Sequence, residues 1–399
     1  MKSILGALAA VLLLAAPAGA KPSAADQAAI TAYETHLTTA NKTLAVRMAE
    51  LNVPGVSVAF IEDGKVKWTR TYGVATAGGP PVTPTTLFQA ASMSKAVASA
   101  AALRLVEQGR LGLDEDVNLR LKAWKVPDSP YTAQKKVTLR ELLSHTAGMT
   151  VSGFPGYVAG KPVPDVIQIL NGSPPSNTPA IRSFETPGHY AYSGGGYTVA
   201  QLMIVEAGGK AYPALLKDLI LRPAGMREST FDQPLPPGRL PQAASGHGVR
   251  GLVIEGARNT YPEYAAASLW TTPSDYGRFF IGLQNAYVGR PHALISQASA
   301  REMMTPVDAN YGLGLQLGRW GGHPYIQHGG GNEGFTCNSF AFLDGARQGV
   351  VVMTNATAGT VVAQDILRAL VTAYGWGEPD SATRGSPRRA PNVPPAEPK

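Results

Sequence analysis

The chain has 399 residues, is 44% hydrophobic and 16% charged, and carries a formal net charge of +7. The apolar fraction excludes global disorder, and Lys and Arg scattered in nothing longer than pairs exclude the clustered basic footprint of a nucleic-acid binder. Cys337 is the single cysteine, which excludes a disulfide framework and any cysteine-based zinc or iron–sulfur site built within the chain.

Residues 1–20 read as an export signal: a short positive start at Met1-Lys2, an apolar run over residues 4–16, and a small-residue cleavage site at Ala18-Gly19-Ala20. The run is too short to span a bilayer comfortably, and no Cys follows it to carry a lipid. The expectation is a periplasmic or secreted protein, cut after Ala20, with no stable membrane anchor.

Residues 24–51 lack internal Pro and Gly and predict one helix, ended by Pro54. Residues 56–60 and 65–72 predict strands joined by the hairpin signal Glu62-Asp63-Gly64. A helical pattern starts near Ser92 and runs to Gln108, closed by Gly109. Residues 111–273 mix short helical segments with Pro- and Gly-rich loops, for example 153–164 and 173–179. Strand patterns return at 311–320, 333–343 and 348–354, with a second turn at Asp344-Gly345, and residues 361–374 predict a final amphipathic helix. Residues 377–399 hold 6 Pro in 23 positions and read as a disordered tail.

Strands at both ends with helices between predict one α+β domain over residues 21–376. The terminal strands pair in one antiparallel sheet, the first and last helices cover one face, and a mostly helical lobe is inserted. A small-molecule site is expected in the cleft between the lobe and the sheet.

Three short motifs carry chemistry. In Ser92-Met93-Ser94-Lys95, Ser92 and Lys95 stand three apart on one helix face, at a helix start that favours negative charge on the Ser oxygen. A Lys desolvated there can act as base; the bland alternative is an N-cap Ser with a surface Lys. Ser94 has no Lys three residues on. Tyr190-Ala191-Tyr192-Ser193-Gly194-Gly195-Gly196-Tyr197 puts a Tyr on a Gly-rich turn, where a phenol can shuttle protons or the rings can simply anchor a loop. His328-Gly329-Gly330-Gly331 marks a strand edge that a substrate can approach closely, with backbone N–H groups free for an oxyanion, or else a plain glycine turn. Gly-x-Ser-x-Gly and His-Glu-x-x-His are both absent, and no metal or other cofactor is implied.

All three motifs occur together and in order. With Leu142-Leu143-Ser144-His145-Thr146-Ala147-Gly148-Met149, Ala266-Ala267-Ser268-Leu269-Trp270-Thr271-Thr272-Pro273 and Tyr311-Gly312-Leu313-Gly314, they resemble the serine β-lactamase superfamily, in the branch of class C β-lactamases, D-Ala-D-Ala carboxypeptidases, D-aminopeptidases and esterases. The resemblance covers about residues 30–375 and implies the β-lactamase/transpeptidase-like fold. It also implies Ser92 as nucleophile, Lys95 as general base or relay, Tyr192 as the second-motif Tyr, and the N–H groups of Ser92 and Gly331 as oxyanion hole. His328, Gly329, Gly330 and Gly194 would line the substrate.

Two departures from the family pattern stand out. Tyr-Ser-Gly replaces Tyr-x-Asn, so Gly194 offers no amide to a substrate acylamino group, and His328 stands where class C β-lactamases carry Lys. The imidazole would gain charge only as pH falls toward about 6.5. Both departures point away from potent β-lactamase activity. His145 is read as structural, Glu333 as a strand-edge charge and Cys337 as a buried strand residue. The expected activity is serine hydrolysis of an amide, β-lactam or ester through an acyl-enzyme on a small-molecule or peptide substrate. Alternatives are a D,D-carboxypeptidase or D-aminopeptidase on wall-derived peptides, an esterase, or a non-catalytic module that senses peptidoglycan or β-lactams.

Overall fold

The computed structural model describes residues 22–37, 40–378, 380 and 388–393. The proposed export signal lies outside them.

Six strands form one antiparallel sheet: β1 (Gly55–Glu62), β2 (Lys65–Gly73), β3 (Gln316–Trp320), β4 (His323–Asn332), β5 (Phe335–Phe342) and β6 (Gly349–Thr354). Their spatial order is β2-β1-β6-β5-β4-β3, so the N-terminal hairpin joins the C-terminal strands through β1 and β6. The β1–β2 turn has Asp63 at φ 48 and Gly64 at φ 75, the double left-handed geometry that suits the twist of a tight hairpin.

Alternation along the strands separates two cores. Val56, Val58 and Phe60 of β1 and Val350 and Val352 of β6 face one cluster, while Val351 and Met353 face the other. The first cluster is covered by α1 (Ala24–Thr35) and by the C-terminal helix Gly359–Ala373. The second lies against the inserted lobe, whose main helices are α2 (Ser94–Glu107), α3 (Gly194–Gly208) and α4 (Pro273–Tyr287). α2 is buried almost all round: Ala96, Val97, Ala98, Ala100, Ala101 and Ala102 are all inaccessible, and their small side chains let neighbouring elements approach closely. The expected α+β architecture is therefore the observed one. Among the described residues no helix is long and apolar enough to cross a membrane.

Three expectations are corrected. The predicted helix over residues 24–51 is two helices, Ala24–Thr35 and Leu44–Glu50, because Asn41 adopts φ 49 and Thr43 starts a new helix by capping the Val46 N–H. The strand expected at 311–320 is confined to Gln316–Trp320, since Gly314 turns at φ 81 against Ser99. Its partner β4 is marked in the sequence only by the strand edge at His328-Gly329-Gly330-Gly331, and its first half is not anticipated. Its Gly-Gly-Gly run has no strand propensity and is extended by pairing with β5, while β3 pairs only with residues 323–327.

The tail also departs from its reading. Residues 388–393 pack on the body: Arg388 O accepts the Tyr192 N–H (2.8 Å), Ala390 N–H donates to Tyr192 O (3.0 Å), and Val151 N–H donates to Pro391 O (2.8 Å). Ala390 is buried with Phe184 and Ala191, so even a Pro-rich stretch finds one apolar socket and an unpaired backbone edge.

Candidate active site

Ser92 lies in a 3₁₀ turn, Ala91–Met93, that leads directly into α2. Ala91 is at φ 48, a left-handed conformation that costs a non-glycine residue about 1–2 kcal/mol. The surroundings hold it there. Ala90 N–H donates to Leu269 O (2.8 Å) and the Tyr276 hydroxyl donates to Met93 O (3.1 Å). Lys95, one helical turn on and only 2% exposed, donates from Nζ to Ser92 Oγ (3.1 Å) and Ala266 O (2.9 Å). The same Nζ stands 4.9 Å from the Tyr192 ring centre and 5.5 Å from that of Tyr197. The surface-Lys alternative is thereby removed. Ser94 is fully committed elsewhere: its Oγ donates to Ala91 O (2.6 Å) and accepts the Leu269 N–H (3.0 Å).

Tyr192 immediately precedes Ser193, the N-cap of α3, whose Oγ accepts the Gly196 N–H (2.9 Å) and donates to Thr150 O (3.0 Å). The Ser193 N–H donates to His145 Nδ1 (3.0 Å), which fixes the imidazole proton on Nε2. The His145 ring lies 4.1 Å from the Tyr192 ring centre, with Tyr311 at 5.0 Å and Tyr197 at 5.1 Å. Complete burial, reinforced by the Lys95 charge and by His328, pushes the His145 pKa well below 6.5. His145 is thus a neutral ring under Tyr192, close to the chemistry rather than remote from it. Its presence in the Leu-Leu-Ser-His-Thr-Ala-Gly match is the signal that sequence reading left unused.

Strand β4 forms the opposite wall. Leu343 N–H donates to Pro324 O (2.9 Å), and the register pairs Ile326 with Ala341, His328 with Ser339 and Gly330 with Cys337. Antiparallel pairing alternates, so even-numbered residues of β4 bond to β5 and odd-numbered ones, Gly329 and Gly331 included, turn their N–H groups away from it. Gly330 explains the glycine run: a Cβ there would stand 2.2 Å from Ala90 O, against the Ser92 turn. A Cβ on Gly331 would meet nothing within 4 Å. Asn332 ties the strand down, with Nδ2 donating to Gln89 Oε1 (2.8 Å) and Ala267 O (3.2 Å).

His328 is 6% exposed, and its Nδ1 donates to Gly329 O (2.6 Å) while Nε2 accepts the Tyr311 hydroxyl (3.0 Å). Burial, then the Lys95 charge, lowers its pKa to about 3. The expectation that it gains charge near pH 6.5 is corrected: the ring is neutral throughout the physiological range.

These residues line one cleft of about 1190 Å³ that contains Ser92, Lys95, Tyr192, His328 and Gly329 to Gly331. Gly194, expected to line the substrate, does not reach it. It is buried, and a Cβ there would stand 2.7 Å from the Phe154 ring, so Phe154 presents the wall instead. Glu333 stays in the β4–β5 turn and accepts the Asn259 amide (2.7 Å). Cys337 is buried, its thiol pKa raised by burial, with Sγ bonded to Gln89 O at 3.1 Å.

The arrangement resembles known proteins in sequence and in fold. Penicillin-binding protein 4* of Bacillus subtilis (strain 168) is 27% identical over 339 residues, covering 78% of this chain and 70% of that protein. Protein flp of Staphylococcus aureus (strain MW2) is 28% identical over 233 residues, 56% of this chain and 43% of flp, so the match spans less than half of that relative's length. Among solved structures, the octameric penicillin-binding protein homologue from Pyrococcus abyssi superimposes with a TM-score of 0.68 at 23% identity, covering 84% of this chain and 76% of that one. D-amino acid amidase from Ochrobactrum anthropi SV3 superimposes at 0.66 and 23% identity, covering 88% and 99%. Residues 40–373 match the Beta-lactamase family, and the chain belongs to that family of serine hydrolases.

Proposed function

We propose that the protein is an exported acyl-transfer hydrolase in which Ser92 attacks the carbonyl of an amide or ester. The observation that carries this reading is the buried Lys95 amine 3.1 Å from Ser92 Oγ, in a cleft open to substrate. As the Ser92 Oγ–carbon bond forms, the hydroxyl proton passes to Lys95, which accepts it as the neutral amine after its own ammonium proton has left to solvent through the open cleft. The carbonyl oxygen becomes an oxyanion held by the N–H groups of Ser92 and Gly331. The carbon–nitrogen or carbon–oxygen bond then breaks, and the proton reaches the leaving group through Lys95 and Tyr192. Water cleaves the acyl-enzyme by the reverse sequence. His328 acts as a neutral hydrogen-bonding ring, with the Gly329 carbonyl fixing its tautomer and Tyr311 holding its Nε2.

For the substrate we favour small esters and amides of D-amino acids or D-peptides over acylamino β-lactams. Phe154 makes the wall beside Gly194 apolar, and the relatives include a penicillin-binding protein and a D-amino acid amidase. Purified protein should be assayed against a short-chain nitrophenyl ester, a D-Ala-D-Ala peptide, a D-amino acid amide and a cephalosporin. Fastest turnover of the cephalosporin would overturn the preference. Labelling by a fluorophosphonate anywhere but Ser92 would overturn the mechanism. Export is tested by N-terminal sequencing of the mature protein, expected to begin at Lys21.

A further inference from the structure

The packed tail segment reaches the cleft, and the catalytic scheme makes no use of it. Arg389 pairs in parallel with Tyr192 along the backbone, and its guanidinium carbon lies 5.9 Å from the Tyr192 ring centre. Lys95 Nζ lies 4.9 Å from that same ring. Arg388, Arg389 and Asn392 all line the cleft together with Ser92. Arg388 is neutralised by Glu185, with nitrogen–oxygen distances of 3.0 and 2.6 Å. Arg389 is exposed and, among the described residues, has neither an ion pair nor a hydrogen bond. The carboxylate that lines the cleft, Asp308, is occupied by backbone: it accepts the Tyr190 N–H (2.7 Å) and its neighbour Ala309 N–H (2.8 Å). Among the described residues, the cleft therefore presents one uncommitted Lys or Arg side chain beside Tyr192, on a strap held in place by its own main chain.

We propose that Arg389 is a specificity-determining residue that binds a carboxylate on the substrate, and that the C-terminal strap exists in part to deliver it. This rests on the hydrolase reading above and names the substrate class: esters or amides bearing a free carboxylate. A guanidinium recognises a carboxylate through two parallel N–H bonds, a geometry that an ammonium cannot reproduce. Among the described residues, no other Lys or Arg of the cleft is free for this task. Lys95 is engaged by Ser92 and Ala266, and His328 is neutral because burial holds its pKa at about 3. Replacing the Arg389 side chain leaves the strap's attachment intact, since that runs through the backbone of Arg388, Ala390 and Pro391 and through the Arg388–Glu185 pair.

The test compares the full-length protein with Arg389→Ala, Arg389→Lys and Arg389→Glu on three esters. These are p-nitrophenyl acetate (neutral), p-nitrophenyl hemisuccinate (carboxylate on the acyl group) and 4-acetoxybenzoate (carboxylate on the leaving group). The readout is the ratio of kcat/KM for each anionic ester to that for the neutral one, with melting temperatures as a folding control. For at least one anionic ester, Arg389→Ala should lower the ratio about tenfold or more, mainly through KM. Arg389→Lys should recover part of the loss, and Arg389→Glu should deepen it. Which ester responds reports the side of the scissile bond on which the carboxylate sits. Ratios within twofold of wild type for both anionic esters overturn the proposal, as does a wild type that cleaves only the neutral ester. Failure of the wild type to cleave any ester, together with absence of fluorophosphonate labelling at Ser92, would instead overturn the hydrolase reading on which it stands.

Discussion

The two central glycines of β4 make opposite predictions although they are neighbours. A Cβ at position 330 would stand 2.2 Å from Ala90 O and 3.1 Å from the Ala91 side chain. Ordinary contact begins near 3.4 Å, so in Gly330→Ala the strand and the Ser92 turn must separate by about 1 Å. Ala91 cannot absorb this by rotation, because it is already held at positive φ. Overpacking of this kind costs typically about 1–3 kcal/mol. The same displacement moves the Gly331 N–H relative to Ser92. A misplacement of about 1 Å can cost ~10²-fold in rate, and loss of one oxyanion donor ~10²–10³-fold. Gly330→Ala should therefore lower the acylation rate by about 10²-fold and reduce the melting temperature. Gly331→Ala, whose Cβ meets nothing within 4 Å, should leave the melting temperature unchanged and slow acylation by a small ester far less. The assay is stopped-flow acylation with a nitrophenyl ester beside thermal denaturation. Equal loss in both variants, or wild-type acylation in Gly330→Ala, would refute the placement of β4 against the Ser92 turn.

Lys95→Ala and Tyr192→Phe should each slow acylation by about 10²–10⁴-fold, the usual contribution of general-base assistance, with far-UV circular dichroism unchanged. Gly194→Asn alone should destabilise the protein, since Phe154 occupies the space at 2.7 Å; only with Phe154→Ala should it raise kcat/KM for an acylamino cephalosporin relative to a short-chain ester. Acid should destabilise the fold earlier than carboxylates alone would cause. His328 has a folded pKa of about 3 against about 6.5 unfolded, and His145 is shifted the same way, so below pH 6.5 the unfolded chain binds more protons than the native one. That stability is fully present above pH 6.5 and is lost as pH falls toward 3. Melting temperatures between pH 7 and pH 4 should show a slope that His328→Gln makes shallower; an unaltered slope would mean that His328 is charged in the native state.

Much of this protein is local and therefore legible in the chain itself. Ser92 and Lys95 share a helical turn, which fixes their proximity whatever the rest of the chain does. The Asp63-Gly64 turn, the apolar runs of β1 and β6, buried on both faces, and the amphipathic C-terminal helix are each written in local sequence. The grouping of the end strands into one sheet followed from the same patterns. What escaped depends on partners distant in sequence. Strand β4 has little propensity of its own and is extended by the flanking β3 and β5. Gly194 reads as an open position until Phe154, forty residues earlier, is packed over it. His328 reads as a titrating residue until burial and the Lys95 charge hold it neutral. His145 and Arg389 reach Tyr192 only through the fold, one by packing its ring at a tilt against the phenol ring and the other by main-chain pairing from a Pro-rich segment. Periodicity encodes burial but not the identity of the neighbour, so spacing determined that Ser92 and Lys95 stand together, while tertiary packing alone decided the wall, the floor and the charge of the cleft that they line.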